Sequence, residues 1–211
     1  MFTVVTPAGD RKLLTSEQMR VAAGLSSGDT SQDATLGVTN LGISDLLAME
    51  CGIAGDGVKP PTLKSEVVKD TVRLACPAPE ILLSRRFITD VASVSVDGTE
   101  IDIAQVEIDR AAGLLTRICN GRVVAWWPGA TVVTYTAGFT EVPGDLVLAV
   151  TAAVREMAAS GARDPFLKRD KVEGIGEQEF WVGGLGGSDT GSAFSATVRA
   201  MLDPYRSVVV P

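Results

Sequence analysis

Five carboxylates, Asp97, Glu100, Asp102, Glu107 and Asp109, crowd one short stretch and are the residue types from which a divalent-cation or glycosidase site is built. Their spacing points elsewhere. At strand periodicity Glu100 and Asp102 share a face opposite Ile101 and Ile103, which is the pattern of a solvated strand. Gly24-Leu25-Ser26-Ser27-Gly28 matches the nucleophile elbow G-x-S-x-G, but it follows a helical pattern and not a strand. The chain contains no histidine. That removes the commonest general base, the Ser-His-Asp triad and every histidine-ligated metal site together, so the elbow reads as a helix-capping loop.

Two further stretches could do chemistry and read more plainly as structure. The glycine-rich run from Gly183 to Gly191 precedes a helical pattern, as a phosphate loop does, but it lacks the lysine and places Asp189 where a phosphate would sit. It reads as a hinge. Trp126-Trp127, just before Pro128-Gly129, could stack bases, yet Arg122 is its only basic flank, so the pair reads as a core plug at a strand end. Cys51, Cys76 and Cys119 are widely spaced, contain no C-x-x-C pair, and read as small buried hydrophobes in a reducing compartment. The expectation is a protein with no catalytic residue, no metal and no cofactor.

Composition agrees. A net charge of −7 among 211 residues leaves no basic footprint for phosphate backbones. The 45% hydrophobic content supports a real core, and 22 glycines with 5% aromatics suit a loop-rich, modular chain. The start lacks the basic and apolar regions of a secretion signal, and no apolar run approaches the ~20 residues that span a bilayer. No membrane partner is expected, and synthesis in the cytosol is.

The elements that position these residues follow from periodicity. Thr15 and Gln18 form a capping box that opens a short helix ended by Gly24. Residues 32–53 form a second helix with Leu36, Ile43, Leu46, Leu47 and Met49 on a broad stripe, weakened by Gly37 and Gly42. Residues 66–75 fit strand or short helix. From residue 77 the period becomes two: Val94 and Val96 lead into an Asp97-Gly98 turn, and a second hairpin turns at Asn120-Gly121. Residues 145–160, apolar or alanine on nearly every side, form a helix whose burial must involve more than one face, with Leu146, Val150, Val154 and Met157 inward. Residues 163–189 are a long loop carrying Phe166, Phe180 and Trp181. A last helix over 191–202 is stopped by Pro204, and Val208, Val209 and Val210 form an extended tail. The fold class is α+β: a small α-helical bundle, residues 1–76 and 141–211, with an inserted antiparallel β module at 77–140 and an extended C-terminal tail.

Several of these segments, taken in order, resemble the head-tail connector (adaptor) proteins of tailed bacteriophages and gene transfer agents. Residues 133–146, VTYTAGFTEVPGDL, are similar to that family's strand, Y-x-A-G turn and Pro-capped helix; residues 171–180, KVEGIGEQEF, resemble its following loop; and residues 200–206, AMLDPYR, resemble its LL-x-P-Y-R ending. Residues 14–20, LTSEQMR, match its opening helix more loosely, and the N-terminal dozen residues and the run 183–191 are longer than its pattern.

The resemblance implies a structural neck protein of the virion, made in the host cytoplasm and assembled as a dodecameric ring beneath the portal protein. Such a ring lines the DNA path without specific binding and presents a platform to tail or stopper proteins. An acidic wall suits passage of DNA. Tyr205, Arg206, Val208, Val209 and Val210 are then expected to dock on the portal, and Phe166, Phe180 and Trp181 to anchor neighbouring subunits. Rival readings are a stopper or tail-completion protein, an Asp/Glu hydrolase on the β module, and a β-rich binding module.

Overall fold

A computed structural model describes residues 1–161, 169–172, 176–179 and 193–207. The chain is α+β and divides into two compact units. The β unit comprises residues 1–11, 52–142 and 207–211, and the helical unit residues 12–51 and 143–206. The division therefore lies at residue 52 and not at 77, because two strands precede the expected β module: β1 (Phe2–Thr6) and β2 (Glu66–Leu74).

The β unit continues through β3 (Glu80–Leu82), β4 (Ile88–Val96), β5 (Thr99–Ile101), β6 (Val106–Asp109), β7 (Leu114–Cys119), β8 (Arg122–Val124) and β9 (Gly129–Ala137). One antiparallel sheet runs β1-β2-β9-β4-β5; the other runs β3-β7-β6, with β8 also on β7. Both hairpin turns lie where Asp97-Gly98 and Asn120-Gly121 place them, with φ of +47°, +82°, +50° and +72°. Val68, Val94, Val133 and Tyr135 from the first sheet and Ile81, Val106, Leu115 and Trp126 from around the second form one buried cluster.

β2 escapes a purely apolar strand pattern because its inward positions include Glu66 and Asp70, both buried. Arg85, itself 3% exposed, answers them. Its guanidinium pairs with Glu66 at 2.9 Å and donates to the carbonyls of Ala54 and Thr62. Asp70 accepts from the Ser84 amide at 2.7 Å, and the Tyr135 hydroxyl, which accepts from the Arg85 amide at 3.2 Å, closes the cluster. Burial, then the nearby Asp70 carboxylate, raises the Tyr135 phenol above its ordinary pKa. In the Y-x-A-G segment, Tyr135 thus serves the core, and Gly138 at φ +98° takes a turn in which a Cβ would run into the Lys64 carbonyl.

The helical unit holds α1 (Ser16–Ala22), α2 (Asp33–Glu50), α3 (Gly144–Gly161) and α4 (Ala196–Leu202), with a short hairpin of β10 (Arg169–Val172) and β11 (Gly176–Glu179). That hairpin lies within the stretch expected to be loop throughout. The capping box forms: the Gln18 amide donates to Thr15 Oγ1 at 3.2 Å, and the Thr15 amide to Gln18 Oε1 at 2.9 Å. Arg20 ties the next loop down, with a two-point pair to Asp33 and a bond to the Ser27 carbonyl at 2.6 Å. α1, α2 and α3 pack against one another pairwise, and α4 packs on α3. Among the described residues no helix is long and apolar enough to cross a membrane.

Candidate interaction surfaces

The three aspartates of the carboxylate cluster accept from backbone amides. Asp97 accepts from the Ala130 amide at 2.8 Å, Asp102 from Ala104 at 3.0 Å, and Asp109 from Ala111 and Ala112 at 3.0 and 2.9 Å. Asp102 and Asp109 therefore cap backbone donors of their own turns, and Asp97 caps an amide of β9 across from it. Glu100 and Glu107 are exposed. No group of three metal-ligating side chains occurs among the described residues.

α3 shows where helix pattern and burial part. Leu146, Val150 and Val154 are buried as expected, together with Ala149 and Ala153, but Met157 is only half-buried and Leu148 is 65% exposed. The helix therefore buries one face and not several. Alanines made the rest look apolar without creating surface that must be covered. α2 departs further. Of its expected stripe, Ile43 and Leu47 are buried while Leu46 and Met49 face outward and Leu36 is half-buried. Its buried face carries Asn40 and Ser44 instead: Ser44 Oγ accepts from the Leu13 amide at 3.0 Å, and Asn40 Nδ2 donates to the Leu14 carbonyl at 2.8 Å.

The C-terminal residues expected to dock on a partner are engaged at home. Tyr205 is buried, and its hydroxyl donates to Asp145 Oδ1 at 2.6 Å. That bond holds the Asp145 carboxyl below its usual pKa, while burial, then the bond to Asp145, raises the Tyr205 phenol. Arg206 pairs with Glu50 at 2.8 Å and Asp203 at 3.2 Å. Residues 205 and 206 are therefore tied to their own unit. Their partners are over 50 residues away in sequence, which hid them, except for Asp203. Val208, Val209, Val210, Phe166, Phe180 and Trp181 lie outside the described residues.

Two other expectations need correction. Cys51 is buried, and burial pushes its thiol pKa up to about 12, but Cys76 and Cys119 are exposed. Trp126 is a core plug, donating to the Leu115 carbonyl at 3.1 Å, whereas Trp127 is 59% exposed with the Arg117 guanidinium 4.1 Å from its ring centre. Arg117 is ten residues away and reaches the ring through the β7–β8 pairing, which spacing alone did not reveal.

Val38, Met49, Trp127 and Leu148 are large apolar side chains left exposed. The fold is similar to that of chains in gene transfer agent particles. A chain in the neck of an empty GTA particle computed with C6 symmetry matches with a TM-score of 0.57 at 18% identity, and one in the virion of a native gene transfer agent with 0.59 at 16%. A chain in the neck of a native GTA particle computed with C12 symmetry gives 0.53 at 17%. Each match covers 100% of this chain and 97% of the other. No protein-family model and no curated protein matches the chain.

Proposed function

We propose that this chain is a structural head-tail adaptor of a phage-like particle. Copies form a ring, a dodecamer, under the portal protein; the ring extends the DNA channel and receives the tail or a stopper protein. The observation that carries this reading is the end-to-end likeness to neck chains, which spans both the helical and the β unit and not one common module. The motif resemblance in sequence, order included, points the same way. The acidic balance supports a conduit that DNA traverses without being held, and the engagement of Asp97, Asp102 and Asp109 with backbone amides argues against a hydrolase.

The test is to remove the chain during particle assembly and image the products. DNA-filled heads that carry a portal but no tail are expected, and adding the purified chain back should restore a twelvefold ring at the neck. Tailed particles assembled in its absence would overturn the reading. A sixfold ring further from the portal would assign the chain to the stopper position.

A further inference from the structure

The outer face of α2 is apolar although its inner face is partly polar. Thr35, Val38, Gly42, Leu46 and Met49 follow one another at helical spacing and form a single narrow stripe. All five are exposed, Val38 at 73% and Met49 at 64%, and none is charged. Gly42 sits in the middle. A glycine inside a helix costs roughly 1 kcal/mol against alanine, and nothing lies within 4 Å of the place its Cβ would occupy. Among the described residues no contact requires a glycine there. A second backbone approaching the stripe would.

A matching recess lies on the same unit. Glu17, Gln18, Val21 and Ala22 of α1 and Thr151 of α3 line a depression of about 250 Å³. Val21 is 49% exposed, and Leu148, one turn before Thr151, is 65% exposed. α1, α2 and α3 touch pairwise, and none of the five stripe residues lines the depression. Ridge and recess are thus separate surfaces of one three-helix arrangement. Such a pair of unlike faces joins identical subunits head to tail, and the chain of contacts closes into a ring when the rotation per subunit divides a full turn.

We propose that the α2 stripe of one copy seats in the α1–α3 recess of the next, and that this is the subunit contact of the ring; the inference rests on the ring reading above. Gly42 sets how closely the two helices approach, and Val38, Leu46 and Met49 pack against Val21 and the neighbouring Leu148. The partner is a second copy because the chain carries both halves of the contact.

Met49→Asp spoils the ridge and Val21→Asp the recess, both at exposed positions. Each variant should keep the wild-type circular dichroism and melting temperature yet remain monomeric by light scattering at concentrations where the wild type forms rings. Mixed in equal amounts, the two should give a 1:1 dimer and nothing larger, since one intact ridge and one intact recess remain. Gly42→Ala should melt higher than wild type while its self-association weakens by at least about tenfold. Rings formed by either single variant would overturn the assigned surfaces and leave the ring reading standing. Monomeric variants that fail to dimerise on mixing would show that the stripe meets something other than the recess. A wild type that forms no ring, alone or at the neck of assembled particles, would overturn both.

Discussion

Arg85 is the residue on which the β unit turns. An arginine and a glutamate, each with a side chain only 3% exposed, are stable together because the two charges lie 2.9 Å apart and Arg85 also donates to the carbonyls of Ala54 and Thr62. Arg85→Met would leave Glu66 buried without its counter-charge, with only the Ala8 amide donating to it. The expected loss is about 3–5 kcal/mol, read from urea unfolding, and adding Glu66→Leu should recover part of it. A loss below about 1 kcal/mol would mean that water reaches Glu66. The Tyr205–Asp145 bond makes a second residue-scale prediction. A carboxyl whose folded pKa is depressed contributes stability above its unfolded pKa and loses it as pH falls through the folded value. Tyr205→Phe should therefore return the Asp145 titration, followed by NMR, to the ordinary carboxylate range and flatten the acid limb of stability in that window.

At the scale of elements, what could be read from sequence is what local chemistry decides. The capping box at Thr15, the hairpin turns at Asp97-Gly98 and Asn120-Gly121, and the start of α3 after Pro143 each depend on neighbours within a few residues, and each forms. β2 was ambiguous because its inward Glu66 and Asp70 break the apolar alternation, and the residue that satisfies them, Arg85, lies on another segment. The outer stripe of α2 was hidden for a similar reason. Asn40 and Ser44 look like surface residues until the Leu13 and Leu14 backbone is placed against them, so the apolar residues of both faces merged into one apparent stripe. The contrast within α3 is testable. Val150→Asp puts a charge at a fully buried position and should cost more than about 4 kcal/mol or prevent folding. Leu148→Asp, two residues earlier, should change the unfolding free energy of the monomer by less than about 0.5 kcal/mol. Equal effects would mean that α3 is covered on both sides within one chain.

For the whole molecule, the placement of Tyr205 and Arg206 changes where the proposed attachment to the portal can begin. Both belong to the helical unit: Tyr205 is buried against Asp145, and Arg206 bridges to Glu50 at the end of α2. Removing residues 205–211 would therefore strip the helical unit of these contacts, and a failure of assembly would not distinguish lost docking from lost folding. Truncation after Ser207 separates the two. The segment removed is Val208-Val209-Val210-Pro211, whose β-branched residues favour an extended strand that can add to a sheet edge of a partner. Each such contact is worth little, but a ring presents many equivalent copies at once, and avidity multiplies them. The shortened chain should keep its melting temperature and still form rings, yet yield filled heads without tails, or heads that leak DNA. Tyr205→Ala should instead lower the melting temperature of the isolated chain. If the chain ending at Ser207 joins heads to tails at normal yield, the portal contact is made by the helices and not by the valine tail.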